Sequence, residues 1–112
     1  MGVVPAVSKD QEDLPAACEL CAAPSVERLI YDDPAVYVVA HPDRAVAGHV
    51  MLVAKRHVEN YSDLEALEAA QFAGVQHRLE RGLLASTGAD RVILLKLGLA
   101  VPHLHVHLYP VA

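Results

Sequence analysis

A strict alternation near the C-terminus, His103-Leu104-His105-Val106-His107-Leu108-Tyr109, constrains the fold of this chain more than any other stretch. Period-two alternation belongs to an extended strand, whose successive side chains leave opposite faces. Leu104, Val106 and Leu108 then share a face and pack, while three imidazoles stand in a row on the other, roughly 6 to 7 Å apart. A single strand histidine is ordinarily a satisfied structural residue. Three at this period, in a chain without a tag-like His run, point instead to a chemical face. Imidazole suits such a face because it titrates near neutral pH, ligates metals and can act as a nucleophile.

The chain has 112 residues and 54% hydrophobic content, enough apolar material for one core and too little length for a second domain of ordinary size. The expected organisation is a flexible lead-in over residues 1–15, polar and aperiodic, followed by a single domain over 16–112. A formal net charge of −5 argues against wrapping nucleic acid by phosphate neutralisation, although a local patch can still take a small anion. No apolar run reaches the roughly 18 residues of a membrane span, and Met1 to Lys9 lacks a basic segment leading into an apolar one. A cytoplasmic protein that engages neither membrane nor nucleic acid is therefore expected.

Two runs, Val26–Tyr31 and Val36–Val39, flank the turn Asp32-Asp33-Pro34 and predict an antiparallel hairpin. After the break at His41-Pro42-Asp43-Arg44, Gly48 leads into a third strand, Val50–Ala54, which closes on Lys55-Arg56-His57. Ser62 and Glu65 have the spacing of a capping box and predict a helix start, with Leu64, Leu67, Phe72, Val75, Leu79 and Leu83 as its core stripe. Ser86 to Asp90 stops it. Val92–Leu95 reads as a buried strand, and Gly98 and Pro102 mark a loop before the histidine row. The fold class is α+β: an antiparallel sheet of about five strands covered by one main helix.

Cys18 and Cys21 are the only two cysteines, and their spacing lets one tight turn aim both thiolates at one ion. In a reducing compartment such a pair is a metal knuckle, a dithiol redox centre or a coincidence rather than a structural disulfide. Without a second such pair, histidines must complete any tetrahedral shell. His77 falls on the exposed side of the predicted helix, whereas His57 at a strand end and His103 at the start of the row can both meet the knuckle. A shell of two cysteines and two histidines is closed, and hence structural.

The segment from His103 to Tyr109 resembles the signature of the histidine triad (HIT) family, and Gly48 to His57 resembles that family's second marker, a strand preceded by His and left through Lys-x-His. The resemblance covers about Cys18 to Pro110. It implies antiparallel sheet plus helix, often a homodimer, acting on small phosphate-linked nucleosides at the α-phosphate. His105 matches the nucleophile that forms a nucleotidyl-imidazole, with His107 and His49 orienting it and contacting phosphate oxygens. His103 matches the first triad position, a zinc ligand in relatives that also carry a CxxC pair and the histidine matched by His57; structural zinc on Cys18, Cys21, His57 and His103 follows. Backbone donors of Gly98, Leu99, Ala100 and Val101 face the phosphate by this likeness, and His41 and Asp43 lie near the position of a ribose-binding acid. Many relatives carry polar side chains where Leu99 and Ala100 stand. A hydrolase of nucleoside phosphoramidates or dinucleoside polyphosphates is the leading expectation. The alternative is a purine-nucleotide-binding module with little turnover.

Overall fold

The computed structural model describes residues 18–22, 24–41 and 46–112. The lead-in over 1–15 and Asp43 lie outside them. Five strands, β1 (Leu29–Asp32), β2 (Val36–Ala40), β3 (Val50–Ala54), β4 (Arg91–Leu95) and β5 (His105–Val111), form one antiparallel sheet in the order β1-β2-β3-β5-β4. A single long helix, α1 (Ala66–Thr87), connects β3 to β4. The α+β architecture, five antiparallel strands with one main helix, is the one read from the sequence.

Register explains how the sheet serves two purposes. Val50 faces Leu108 and Leu52 faces Val106, while Met51 faces His107 and Val53 faces His105. Because side chains alternate, Val36, Val38, Val50, Leu52, Val106 and Leu108 point to one side, where Phe72 and Val75 of α1 close the larger core. Tyr37, Val39, Met51 and Val53 form a smaller cluster on the other side with Leu20 and Leu29. His105, His107 and Tyr109 stand on that second side.

Several elements depart from the sequence expectation for local reasons. Val26 to Arg28 is a turn, with the Arg28 amide donating to Ser25 O, and Val26 is 85% exposed. The helix starts later than Ser62: Tyr61–Asp63 is a short 3-10 turn whose Asp63 carboxylate accepts the Asn60 N–H, and Glu68 then accepts the Glu65 N–H to open α1. Leu67 consequently falls in the first turn, before the helix meets the sheet, and is 85% exposed instead of in the core stripe. The strand around Val92–Leu95 exists, but it is not buried. Among the described residues β4 pairs with β5 alone, which leaves Ile93, Leu94 and Leu95 at 47, 40 and 38% exposure.

Asp33 joins the hairpin to the helix. One carboxylate oxygen accepts the Ala35 and Val36 amides at 2.7 and 2.9 Å, and the other accepts the Tyr31 hydroxyl and the Gln71 amide at 2.8 and 2.9 Å. Partial burial works against ionisation, but these four donors outweigh it and hold the carboxyl down at about 2. Asp33→Ala is expected to destabilise the fold by about 1–3 kcal/mol in urea titrations at neutral pH. A carboxyl depressed in the folded state stabilises above its ordinary value of 3.8, and that contribution is lost as pH falls towards 2. The gap between wild type and variant therefore narrows across that window.

Candidate functional site

Two histidine-rich clusters sit on the second side of the sheet, and one residue, His103, connects them. Cys18 to Cys21 forms a tight turn closed by the Cys21 amide on Cys18 O, and Tyr37 of β2 anchors that turn by donating its hydroxyl to Leu20 O at 2.6 Å. His57 follows β3, where Arg56 fixes the chain by forking onto Glu68 of α1 at 2.7 and 2.9 Å. His103 is fully buried and stands just before β5, not within it. The Leu104 amide donates to Val58 O at 2.7 Å, which draws the chain away from regular strand geometry at that point. The expected row of three on one strand is thus two, His105 and His107, with His103 turned towards the cysteines.

The first cluster is convergent. His103 Nδ1 lies 3.3 Å from Cys18 Sγ, 3.4 Å from Cys21 Sγ and 3.2 Å from His57 Nδ1, and His57 Nδ1 lies 3.0 Å from Cys21 Sγ. Tetrahedral coordination with metal–nitrogen bonds near 2.0 Å and metal–sulfur bonds near 2.3 Å separates its ligands by about 3.3–3.8 Å, so these four atoms need move only slightly to share an ion. The hydrogen-bonding fits as well. Ala54 O can only accept, so the His103 nitrogen 2.6 Å from it, Nε2, carries the proton and Nδ1 presents its lone pair to the cluster. Burial keeps His103 below its ordinary pKa, in the neutral form that ligates. Burial and the neighbouring Cys18 push the Cys21 thiol up to about 11, a penalty on adjacent thiolates that a bound cation removes. Cys18, Cys21, His57 and His103 can hold a metal ion.

His41, His105 and His107 of the second cluster line a cavity of about 560 Å³, with His49 behind them and outside its lining. His105 Nδ1 lies 2.6 Å from the carbonyl of His103 and donates to it, so the lone pair of this imidazole is on Nε2. His107 Nδ1 lies 2.9 Å from His49 Nε2. Burial, together with His105, His49 and His41 nearby, lowers the His107 pKa to about 4 and keeps its ring neutral near pH 7. His49 is stacked between His41, at 4.2 Å between ring centres, and Tyr109, at 4.0 Å. It is delivered there by Gly48, whose φ of +82° suits glycine, and where a Cβ would meet Pro110 Cγ at 2.9 Å.

Of the residues singled out by sequence, His41, Gly98, Leu99, Ala100, Val101, His105 and His107 all line this cavity. His77 lies exposed on α1, away from both clusters. The sequence reading missed Arg28, Tyr37 and Met51, which also line the cavity. Tyr37 and Met51 were detectable in principle, since period two places each on the face opposite the residues that meet the helix. Arg28 carried no such mark; it is positioned by its Nε–H on Ala40 O at 3.2 Å.

The HIT domain family matches residues 24–111, and this chain belongs to that family. Its members are generally nucleotide-binding hydrolases and transferases. Similar solved structures include a protein from Streptococcus mutans, 28% identical with a TM-score of 0.72, the match covering 84% of this chain and 65% of that one. A histidine triad protein from Bradyrhizobium japonicum is 30% identical with a TM-score of 0.66, covering 76% and 65%. A hypothetical histidine triad nucleotide-binding protein from Sulfolobus tokodaii is 26% identical with a TM-score of 0.72, covering 84% and 68%. The match thus spans slightly less than two thirds of the first two of these proteins.

Metal analysis of the protein purified without a His tag should give about one ion per chain, carried by the closed four-ligand cluster. Cys18→Ser combined with Cys21→Ser should lose that ion and lower the melting temperature by at least about 10 °C. An unchanged melting curve in the double variant would remove the cluster's structural role.

Proposed function

We propose that this protein is a nucleotide-conjugate hydrolase or nucleotidyl transferase acting at the α-phosphate through a covalent intermediate on His105. The observation that carries this reading is the 2.6 Å hydrogen bond from His105 Nδ1–H to the His103 carbonyl. It sets the tautomer in which Nε2 is a nucleophile in a cavity large enough for a nucleotide.

In the first step the Nε2 lone pair forms a bond to the α-phosphorus. The P–N or P–O bond to the leaving group breaks, and that group departs with the bonding electrons and takes up a proton. Water then attacks the nucleotidyl-imidazole, the N–P bond breaks, and His105 recovers its lone pair as the nucleoside monophosphate leaves with the hydroxyl, while the water's other proton returns to solvent and replaces the one the leaving group drew from it. With His49 Nε2–H donating to His107 Nδ1, neutral His107 keeps its Nε2–H for a non-bridging oxygen while His49 sets that tautomer, and backbone amides of residues 98–101 supply further donors. His41, and Asp43 beyond the described residues, are assigned to the sugar end of the pocket. Zinc is the ion assigned to Cys18, Cys21, His57 and His103. Two thiolates and two imidazoles give it a closed shell, so its part is to fix His103 and not to touch substrate.

His105→Ala should reduce release of AMP from an adenosine phosphoramidate or a diadenosine polyphosphate by on the order of a thousandfold or more. Unchanged turnover overturns the assignment. The exposed, apolar Leu97 and Leu99 beside the cavity favour the second reading, a purine-nucleotide-binding module. Tight calorimetric binding of AMP by a wild type that turns over no conjugate would select it.

A homodimer through the edge of β4, unpaired among the described residues, completes the proposal. An apolar edge strand is a ready site for pairing, and a two-fold axis there would cover Ile93, Leu94 and Leu95. Light scattering should give twice the chain mass, falling to one chain mass for Ile93→Glu with Leu95→Glu. A monomeric wild type would overturn this part alone.

A further inference from the structure

Outside the four-ligand cluster, the densest set of metal-binding atoms in the described residues is His41, His49 and His107. Each offers a ring nitrogen, and these atoms all lie within 4.8 Å of one another. The three are contributed by different segments: His41 follows β2, His49 precedes β3 and His107 is in β5. Two backbone features hold them in place. The His41 amide donates to His49 O at 3.1 Å, and Met51, two residues after His49, is in register with His107.

We propose that His41, His49 and His107 form a second, exchangeable site for a divalent late transition metal. Three imidazoles are the donor set that suits zinc, cobalt, nickel or copper, and they leave further positions open to water. His49 Nε2 and His107 Nδ1, at 2.9 Å, already share one proton. An ion taking both nitrogens displaces that proton to the other nitrogen of whichever ring donates it, so no net charge is lost from the pair. The separation then opens to about 3.3–3.4 Å, the span of two nitrogens on one tetrahedral ion. His41 is stacked on His49, with 18° between the ring planes, so it reaches the ion by rotation about its Cβ–Cγ bond, a broad and soft torsion. The site differs from the cysteine cluster in lacking sulfur and in bordering the open cavity. It binds more weakly and exchanges faster.

Occupancy would withdraw His49 and His107 from any phosphate, so metal would act as an inhibitor; that consequence alone rests on the proposed function. The site itself is tested by binding, independently of turnover. The full chain, carrying one equivalent of zinc, is titrated with Co²⁺ alone and followed by calorimetry and electronic absorption. A second equivalent is expected, with visible ligand-field bands but no added thiolate-to-metal charge-transfer band. His41→Asn should weaken this second equivalent by on the order of 10- to 100-fold while the first stays bound, and His77→Asn should alter neither. Should His41→Asn fail to fold, paramagnetic broadening by Co²⁺ in the wild type decides instead, with ring signals of His41, His49 and His107 lost before that of His77. Saturation at one equivalent, a second equivalent that survives His41→Asn, or broadening of His77 first would each overturn the site.

Discussion

The orientation of His103 is the constraint on which both clusters depend. Its Nε2–H is committed to Ala54 O at the end of β3, and its carbonyl is committed to His105 Nδ1–H at the start of β5. The first bond turns the Nδ1 lone pair towards the cysteines; the second leaves the His105 lone pair on the opposite nitrogen. One buried residue thus settles two tautomers, each through a hydrogen bond to a backbone oxygen that can only accept. Rotation of the His103 ring would release the first, whereas a shift of its backbone would release both.

This coupling requires the break at the start of β5. His103 stays on the same side of the sheet as His105 and His107, but β5 has not yet begun there: the Leu104 amide bonds to Val58 O, and the His103 ring stands between the Cys18–Cys21 turn and His57. The hydrophobic alternation survives the break, since Leu104, Val106 and Leu108 all remain buried in the core that meets α1. Packing on one side of β5 thereby holds chemistry on the other.

Much of this was legible in the sequence, because the features concerned are periodic or are set by residue chemistry. Alternation over Leu104 to Leu108 marked the buried face of β5, and the Cys18–Cys21 spacing with His57 and His103 marked four side chains that do converge. What was not legible depends on contacts between distant segments. β4 has the composition of a buried strand, yet nothing local records that, among the described residues, the sheet ends there. Leu67 fits a hydrophobic stripe whose spacing slips by one residue before Phe72, and the capping of Glu65 by Glu68 decides that the helix has barely begun at that point. The stacking of His41 on His49 likewise arises from a pairing across the loop between β2 and β3, over a separation that no motif spans.

The electrostatics of the cavity follow from the same arrangement. Arg28 is the one lysine or arginine among its described lining residues, and Glu19 the one acid, in a chain whose formal net charge is −5. A phosphate entering it therefore meets little fixed positive charge, and stabilisation must come from oriented N–H donors. An imidazolium would donate more strongly, but a neutral imidazole keeps the lone pair that a nucleophile or a metal ligand needs. His107, depressed to about 4, keeps its ring uncharged, and His105 beside it is spared a neighbouring cation that would draw on its lone pair. Burial that keeps imidazoles neutral also makes them metal ligands, since a protonated ring cannot coordinate. The burial that keeps His103 and His107 neutral accordingly leaves the first fit to ligate a metal ion and the second fit for the donor role proposed for it.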